Sequence, residues 1–261
     1  MLLAIDIGNT EVTIGLFEAE RLRAKWRLTS TTVRTADEWM VTLTALLTQA
    51  GHSTQEVGAI VYGSVAPGVT GPLVDGVRQA CEVEPMAVGP DSDLGVTLDV
   101  AEPMTVGADR VVNTLAAREL FGRDTVVVDF GTATTFDCIL ADGRFIGGVI
   151  APGLATAADQ LIRRAAKIPA TELAAPSTVI GRRTEDCVRS GVVFGAVDAV
   201  DGIVRRIRAE WPGDTAPLVV ATGGLAGVIA PLSVEIDRME PDLTLNGLRL
   251  AARRLRGGGR H

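Results

Sequence analysis

Histidine is almost missing from this chain. Only His52, in the polar stretch AGHSTQ, and His261, at the end of an RGGGRH tail expected to be disordered, are present. A histidine-based catalytic triad is therefore not expected, and acid–base chemistry falls to carboxylates. Cysteine is sparse as well. Cys81, Cys138 and Cys187 are scattered without a C-x-x-C pair, which speaks against a disulfide framework or zinc site and suits a reducing compartment. Neither G-x-G-x-x-G nor G-x-x-x-x-G-K-[ST] occurs, so dinucleotide-fold and P-loop readings are poor. The N-terminal apolar run meets Asp6 too early for a signal-peptide core, and no run reaches membrane-spanning length. A soluble, cytoplasmic protein with no membrane partner is expected. Positive charge is not in excess either. The net charge of −7 and pI near 5.0 remove the footprint of a general nucleic-acid binder, though a local basic pocket for a phosphorylated ligand is compatible with them.

What the chain does hold is an ordinary globular mixture, 47% hydrophobic and 22% charged, in 261 residues, enough for one large domain or two ordinary ones. Its start, MLLAIDIGNTEVTIGLFEAERL, places Asp6, Gly8, Asn9 and Thr10 between two strand-like apolar runs. The segment VVVDFGTATTFDCILADGRF has the same grammar: an apolar run, Asp129, Gly131, threonines from Thr132 to Thr135, a second run, and a turn at Asp142–Gly143. Superposing Asp129 on Asp6 also brings Gly131 onto Gly8 and Arg144 onto Arg21. Two such units point to a duplicated domain.

The unit has a physical logic. Glycine after a strand lets backbone N–H groups approach an anion closely, and Thr and Asn add donors. An aspartate there repels phosphate but holds a cation that bridges to it. For one copy alone, an ordinary hairpin turn is the better account. A third piece, PLVVATGGLAGVIA (Pro217–Ala230), reads as a buried strand followed by Thr222-Gly223-Gly224 opening a helix, suited to close approach of an adenosine or to helix packing.

Elsewhere the spacing predicts helices over 35–50 (Trp39, Leu43, Leu46 and Leu47 on one side), 72–81, 107–122 (Val111, Leu115, Ala116 and Leu120 inward) and 191–211. The last repeats Val193, Val197, Val200, Val204 and Ile207 at helical period. A strand is predicted over 57–67, and 168–181 is the most loop-like interior stretch. Strands alternating with helices make an α/β protein. The division is expected at 118/119, giving residues 1–118 and 119–261, with the halves meeting across a cleft.

These motifs resemble the actin-like ATPase superfamily, which includes actin, hexokinase and acetate kinase. Within it the chain is most similar to the type III pantothenate kinases. The resemblance rests on DIGNT (6–10), GADR (107–110), DFGTATTFD (129–137), GGVIAPG (147–153), IGRRT (180–184), ATGGLA (221–226) and PDLTLNGL (241–248), in order along nearly the whole chain. It implies duplicated, ribonuclease H-like α/β domains facing across a nucleotide cleft, and ATP-dependent phosphorylation of pantothenate, the step that opens coenzyme A synthesis. It implies that Asp6, Ile7, Gly8, Asn9, Thr10, Glu11, Val12 and Thr13 form the first phosphate loop for Mg-ATP, with Asp6 toward the magnesium, directly or through water. Thr132 would contact the ATP phosphates, and Asp129 a potassium or ammonium ion. Gly107, Ala108, Asp109 and Arg110 would line the pantothenate pocket, with Asp109 as general base and Thr184 contacting pantothenate from the other side of the cleft. A homodimer is implied too.

The residues themselves leave alternatives. Asp109 and Arg110 could be a solvated pair at a helix start, and Thr184 a helix N-cap. Arg110 has a matching chemistry, since a guanidinium binds a carboxylate such as that of pantothenate in bidentate fashion. One departure stands out: Val100 occupies the position, three residues before Pro103, where the family often carries a tyrosine. The competing readings are a same-fold kinase of another small hydroxy acid and a non-catalytic nucleotide-binding regulator of the Bvg accessory factor type.

Overall fold

The computed structural model describes residues 1–165 and 168–257. His261 and the end of the glycine-rich tail lie outside the described residues. The chain divides into two compact units, residues 1–120 with 243–261, and residues 121–242.

The first unit opens with β1 (Leu2–Ile7), β2 (Glu11–Glu18) and β3 (Arg21–Thr29), then α1 (Ala36–Gln49), β4 (Ala59–Ser64), α2 (Pro67–Cys81), β5 (Met86–Val88), the two-residue β6 (Thr97–Leu98) and α3 (Ala108–Phe121). Its sheet runs β3-β2-β1-β4-β5, antiparallel through the first three strands and parallel from β1 to β5. Strand alternation sends Leu3, Ile5 and Ile7 to one face with Val12, Ile14 and Leu16, where they bury Trp39, Leu43 and Leu47 of α1 and Leu73 and Val77 of α2. Helix α1 starts on a capping box, with Thr35 and Glu38 each satisfying the other's backbone N–H.

The second unit holds β7 (Thr125–Phe130), β8 (Ala133–Ile139), β9 (Arg144–Pro152), α4 (Leu154–Arg164), α5 (Thr184–Ala209), β10 (Leu218–Thr222), the single-turn α6 (Ala226–Ile229) and β11 (Arg238–Met239). Its strands follow the order β9-β8-β7-β10-β11. Directions match those of the first unit: β7–β8 and β8–β9 antiparallel, β7–β10 and β10–β11 parallel. The duplication read from the two Asp-x-Gly-Thr segments is thus a duplication of topology. Val126, Val128 and Phe136 pack with Val193, Val197, Val200 and Val204 of α5 in this unit's core.

Several expected boundaries move. The last helix, α7 (Leu243–Gly257), belongs to the first unit rather than to the residues 119–242 that precede it. It packs against β1, β2 and β4. A side-chain carbon on Gly247 would lie 2.2 Å from the Val112 carbonyl oxygen, so that glycine lets α7 close on α3. Helix α2 starts at Pro67 instead of residue 72, because proline is at home in a first helical turn. The strand expected over 57–67 is confined to 59–64. Helix α5 begins at Thr184, seven residues before the expected start, since the polar TEDCVRS segment extends it without breaking its period. Leu120, expected inward, is 45% exposed near the end of α3. Residues 168–181 contain neither helix nor strand. No helix of the described residues is long and apolar enough to cross a membrane.

Candidate active site

In the first unit, β1 turns into β2 over Gly8, Asn9 and Thr10. The Gly8 N–H donates to the Glu11 carbonyl at 2.9 Å, and a Cβ on Gly8 would stand at that same distance from the oxygen. The tight turn therefore needs glycine. It leaves Asn9 and Thr10 exposed at its tip, while the Thr10 carbonyl is fixed by the Ser30 N–H at 3.0 Å. Asp6 is half-buried, opposite Thr13 on β2 and Gly63 on β4. Ile7 and Val12 are fully buried, so their side chains belong to the core and only their backbone can serve a ligand. Glu11 pairs with the Arg27 guanidinium at 2.5 Å and accepts from the Thr13 hydroxyl at 3.4 Å.

The Gly107–Arg110 turn lies in the same unit. Gly63, the neighbour of Asp6, is close to Ala108: a Cβ there would sit 3.2 Å from the Ala108 methyl. A Cβ on Gly107 would sit 3.1 Å from the Val65 side chain, and the Val65 N–H donates to the Ile7 carbonyl at 3.0 Å. The turn is thereby set beside the ends of β1 and β4. Asp109 folds back over the start of α3, its Oδ1 accepting from the Arg110 N–H at 2.9 Å. Gly107 makes room for it, since a Cβ there would fall 2.4 Å from that oxygen. Asp109 keeps a partly exposed surface, yet protein atoms crowd its carboxyl. This burial pushes its pKa above the usual carboxylate value, against the lowering pull of the Arg110 N–H and guanidinium. A fully solvated surface pair would not be raised in this way.

In the second unit, Asp129 sits half-buried near the end of β7, between Thr135 on β8 and Thr222 on β10. Gly223 follows with φ +91°, and a Cβ there would fall 2.4 Å from Asp129 Oδ1. The sequence suggests the Thr-Gly-Gly turn for ligand approach; in the fold, Gly223 is also what lets the turn close over the Asp129 carboxylate. Gly131 and Thr132 are exposed in the turn to β8, and the Gly131 N–H donates to the Ala133 carbonyl at 3.0 Å. Thr184 is the first residue of α5, and Arg183 takes the N-cap position. Thr184 lines a mostly apolar cavity of about 670 Å³ with Leu154 and Leu161 of α4 and Val188 of α5. Asp6, residues 7–13 and Gly107–Arg110 thus share one unit; Asp129, Thr132 and Thr184 share the other. Two residues that bond to the Thr132 carbonyl, Gly153 and Thr156, carry no signal in the sequence beyond the glycine ending GGVIAPG.

The solved structure of a conserved putative Baf family transcriptional activator from Campylobacter jejuni is 18% identical over 98% of this chain and 99% of its own, with a TM-score of 0.59. That of a putative 2-dehydro-3-deoxygalactonokinase from Sinorhizobium meliloti is 15% identical over 98% and 99%, with a TM-score of 0.56. At such identities the likeness shows the fold alone. A type III pantothenate kinase from Thermomicrobium roseum is 48% identical over 98% of each chain. Residues 2–206 match the family model for type III pantothenate kinase. With both halves of the duplicated fold in place and close identity along almost its whole length, the chain belongs to the type III pantothenate kinase family.

Proposed function

We propose that this kinase transfers the γ-phosphoryl group of ATP to the primary hydroxyl of pantothenate, giving 4′-phosphopantothenate, in the cytoplasm and as the first step of coenzyme A synthesis. The observation that carries the reading is the Gly107–Arg110 turn. It holds a carboxylate against a helix start, in surroundings that raise its proton affinity. Phosphoryl transfer asks a protein mainly for positioning, charge neutralisation and a carboxylate to take the hydroxyl proton. Asp109 takes that proton, and the Arg110 guanidinium receives the pantothenate carboxylate. Gly107 and Ala108 shape the pocket, and Thr184 supplies a hydroxyl to the same substrate.

Asn9 and Thr10, exposed on their tight turn, and Thr132 on the second turn donate to the ATP phosphates. A single half-buried carboxylate beside such a turn suits magnesium, which keeps most of its waters and is otherwise held by substrate phosphates, so Asp6 would hold it. Asp129, at the end of a fully buried apolar run, would hold a potassium or ammonium ion. Bound there, the two cations would offset the phosphate charge. Val100 is half-buried in the bend after β6 and offers pantothenate neither a phenolic hydroxyl nor a ring. The direct test is ADP release by the purified protein with Mg-ATP and potassium. Release that depends on pantothenate is expected; release indifferent to it, or none, overturns the reading.

The protein works as a homodimer. Val179 and Ile180 are 69% and 84% exposed just before α5, and Leu161 of α4 is 41% exposed, an apolar surface that a second copy would cover. Light scattering at micromolar concentration should give twice the mass of one chain. A monomer mass ends this idea.

A further inference from the structure

Threonines inside helices usually satisfy their hydroxyl on the carbonyl four residues back in the same helix. Thr42, Thr44 and Thr48 of α1, Thr70 of α2 and Thr114 of α3 all do so, at 2.7–2.9 Å. Thr156, in the first turn of α4, has no carbonyl of its own helix four residues back. Its hydroxyl leaves its own helix and donates to the backbone carbonyl of Thr132 at 2.7 Å. The Gly153 N–H donates to the same oxygen at 3.2 Å. Gly153 is pressed onto this turn so closely that a Cβ would lie 2.4 Å from the Thr132 oxygen and 2.5 Å from that of Gly131.

From this geometry we infer that Thr156 is a positioning residue for the second phosphate turn, acting on ATP through Thr132 rather than by touching it. A carbonyl oxygen has two lone pairs, and here both are engaged by the start of α4. The Thr132–Ala133 peptide is planar, so it cannot swing without breaking two hydrogen bonds. The backbone that carries the exposed Thr132 side chain is thereby held in one orientation instead of several. Removing the Thr156 hydroxyl leaves the Gly153 bond but frees the plane to tilt, and the ordering of the turn must then come from nucleotide binding energy. The inference rests on the reading of this turn as a phosphate site.

Thr156→Val keeps the shape of the side chain and removes the donor; Thr156→Ser keeps the donor. For Thr156→Val we expect the KM for ATP to rise about 3- to 10-fold, as the loss of one hydrogen bond implies. The Kd of a non-hydrolysable Mg-ATP analogue, measured by calorimetry, should rise by a similar factor. The pantothenate KM should stay within about twofold, and Thr156→Ser should restore both nucleotide constants to the same margin. Nucleotide constants unchanged in Thr156→Val overturn the inference. So does Thr156→Ser as impaired as Val, or both KM values rising together, since a general loosening of the fold would do that. A wild-type protein that binds no Mg-ATP analogue removes the phosphate reading itself, and this inference with it.

Discussion

Asp109→Asn lowers turnover about 10²-fold or more while the affinity for an ATP analogue stays within a few-fold of wild type. Asparagine keeps the size of the side chain and an oxygen for the Arg110 N–H, but it cannot take a proton from the substrate hydroxyl. The loss should therefore fall on kcat and kcat/KM together, the mark of an interaction made in the transition state. Near-wild-type turnover would remove Asp109 from the role of base. Because burial raises its pKa, the acid limb of the wild-type pH–rate profile should have its midpoint above about 4, the ordinary aspartate value.

The same shift carries a stability consequence of opposite sign. A carboxyl whose folded pKa is raised makes the folded state bind protons more tightly than the unfolded one. Its contribution is fully present below the unfolded pKa and is lost as the pH rises through the raised folded value. At neutral pH the ionised Asp109 thus costs stability. Asp109→Asn, which cannot ionise, should melt at or above the wild-type temperature while losing activity. A variant that is both inactive and clearly less stable would point to a structural role instead.

Asp129→Ala lowers kcat/KM about 10²-fold, the scale of removing one electrostatic group from a phosphoryl-transfer site. Wild-type activity should be higher in potassium or ammonium than in sodium, and the variant should have lost that difference. The preceding residues Val126, Val127 and Val128 are fully buried, and Gly223 closes over the carboxylate. An anion in such surroundings favours a bound cation. Equal wild-type rates in potassium-free sodium buffer would contradict the cation assignment, whatever Asp129→Ala does.

Much of this site is legible in local sequence because turns and strand ends obey local rules. Gly8 and Gly131 mark tight turns after apolar runs, and each unit repeats the run–Asp-x-Gly–Thr order, so the duplication is legible in the residues alone. Asp109 is different. Its neighbours Gly107 and Arg110 allow a solvated pair as readily as a base. The raised proton affinity that separates the two depends on atoms packed around it in three dimensions.

The sequence by itself determined the α/β class, the twin Asp-x-Gly turns and the family resemblance. Each follows from residue type and spacing within a few positions. Only the tertiary structure decided that α7 returns to the first unit, that Gly223 is needed against Asp129, and that Thr156 holds the Thr132 carbonyl. These are meetings between residues 24 or more positions apart in the chain. Helical and strand periodicity shows which face of an element is apolar, but not which distant backbone atom that face will meet.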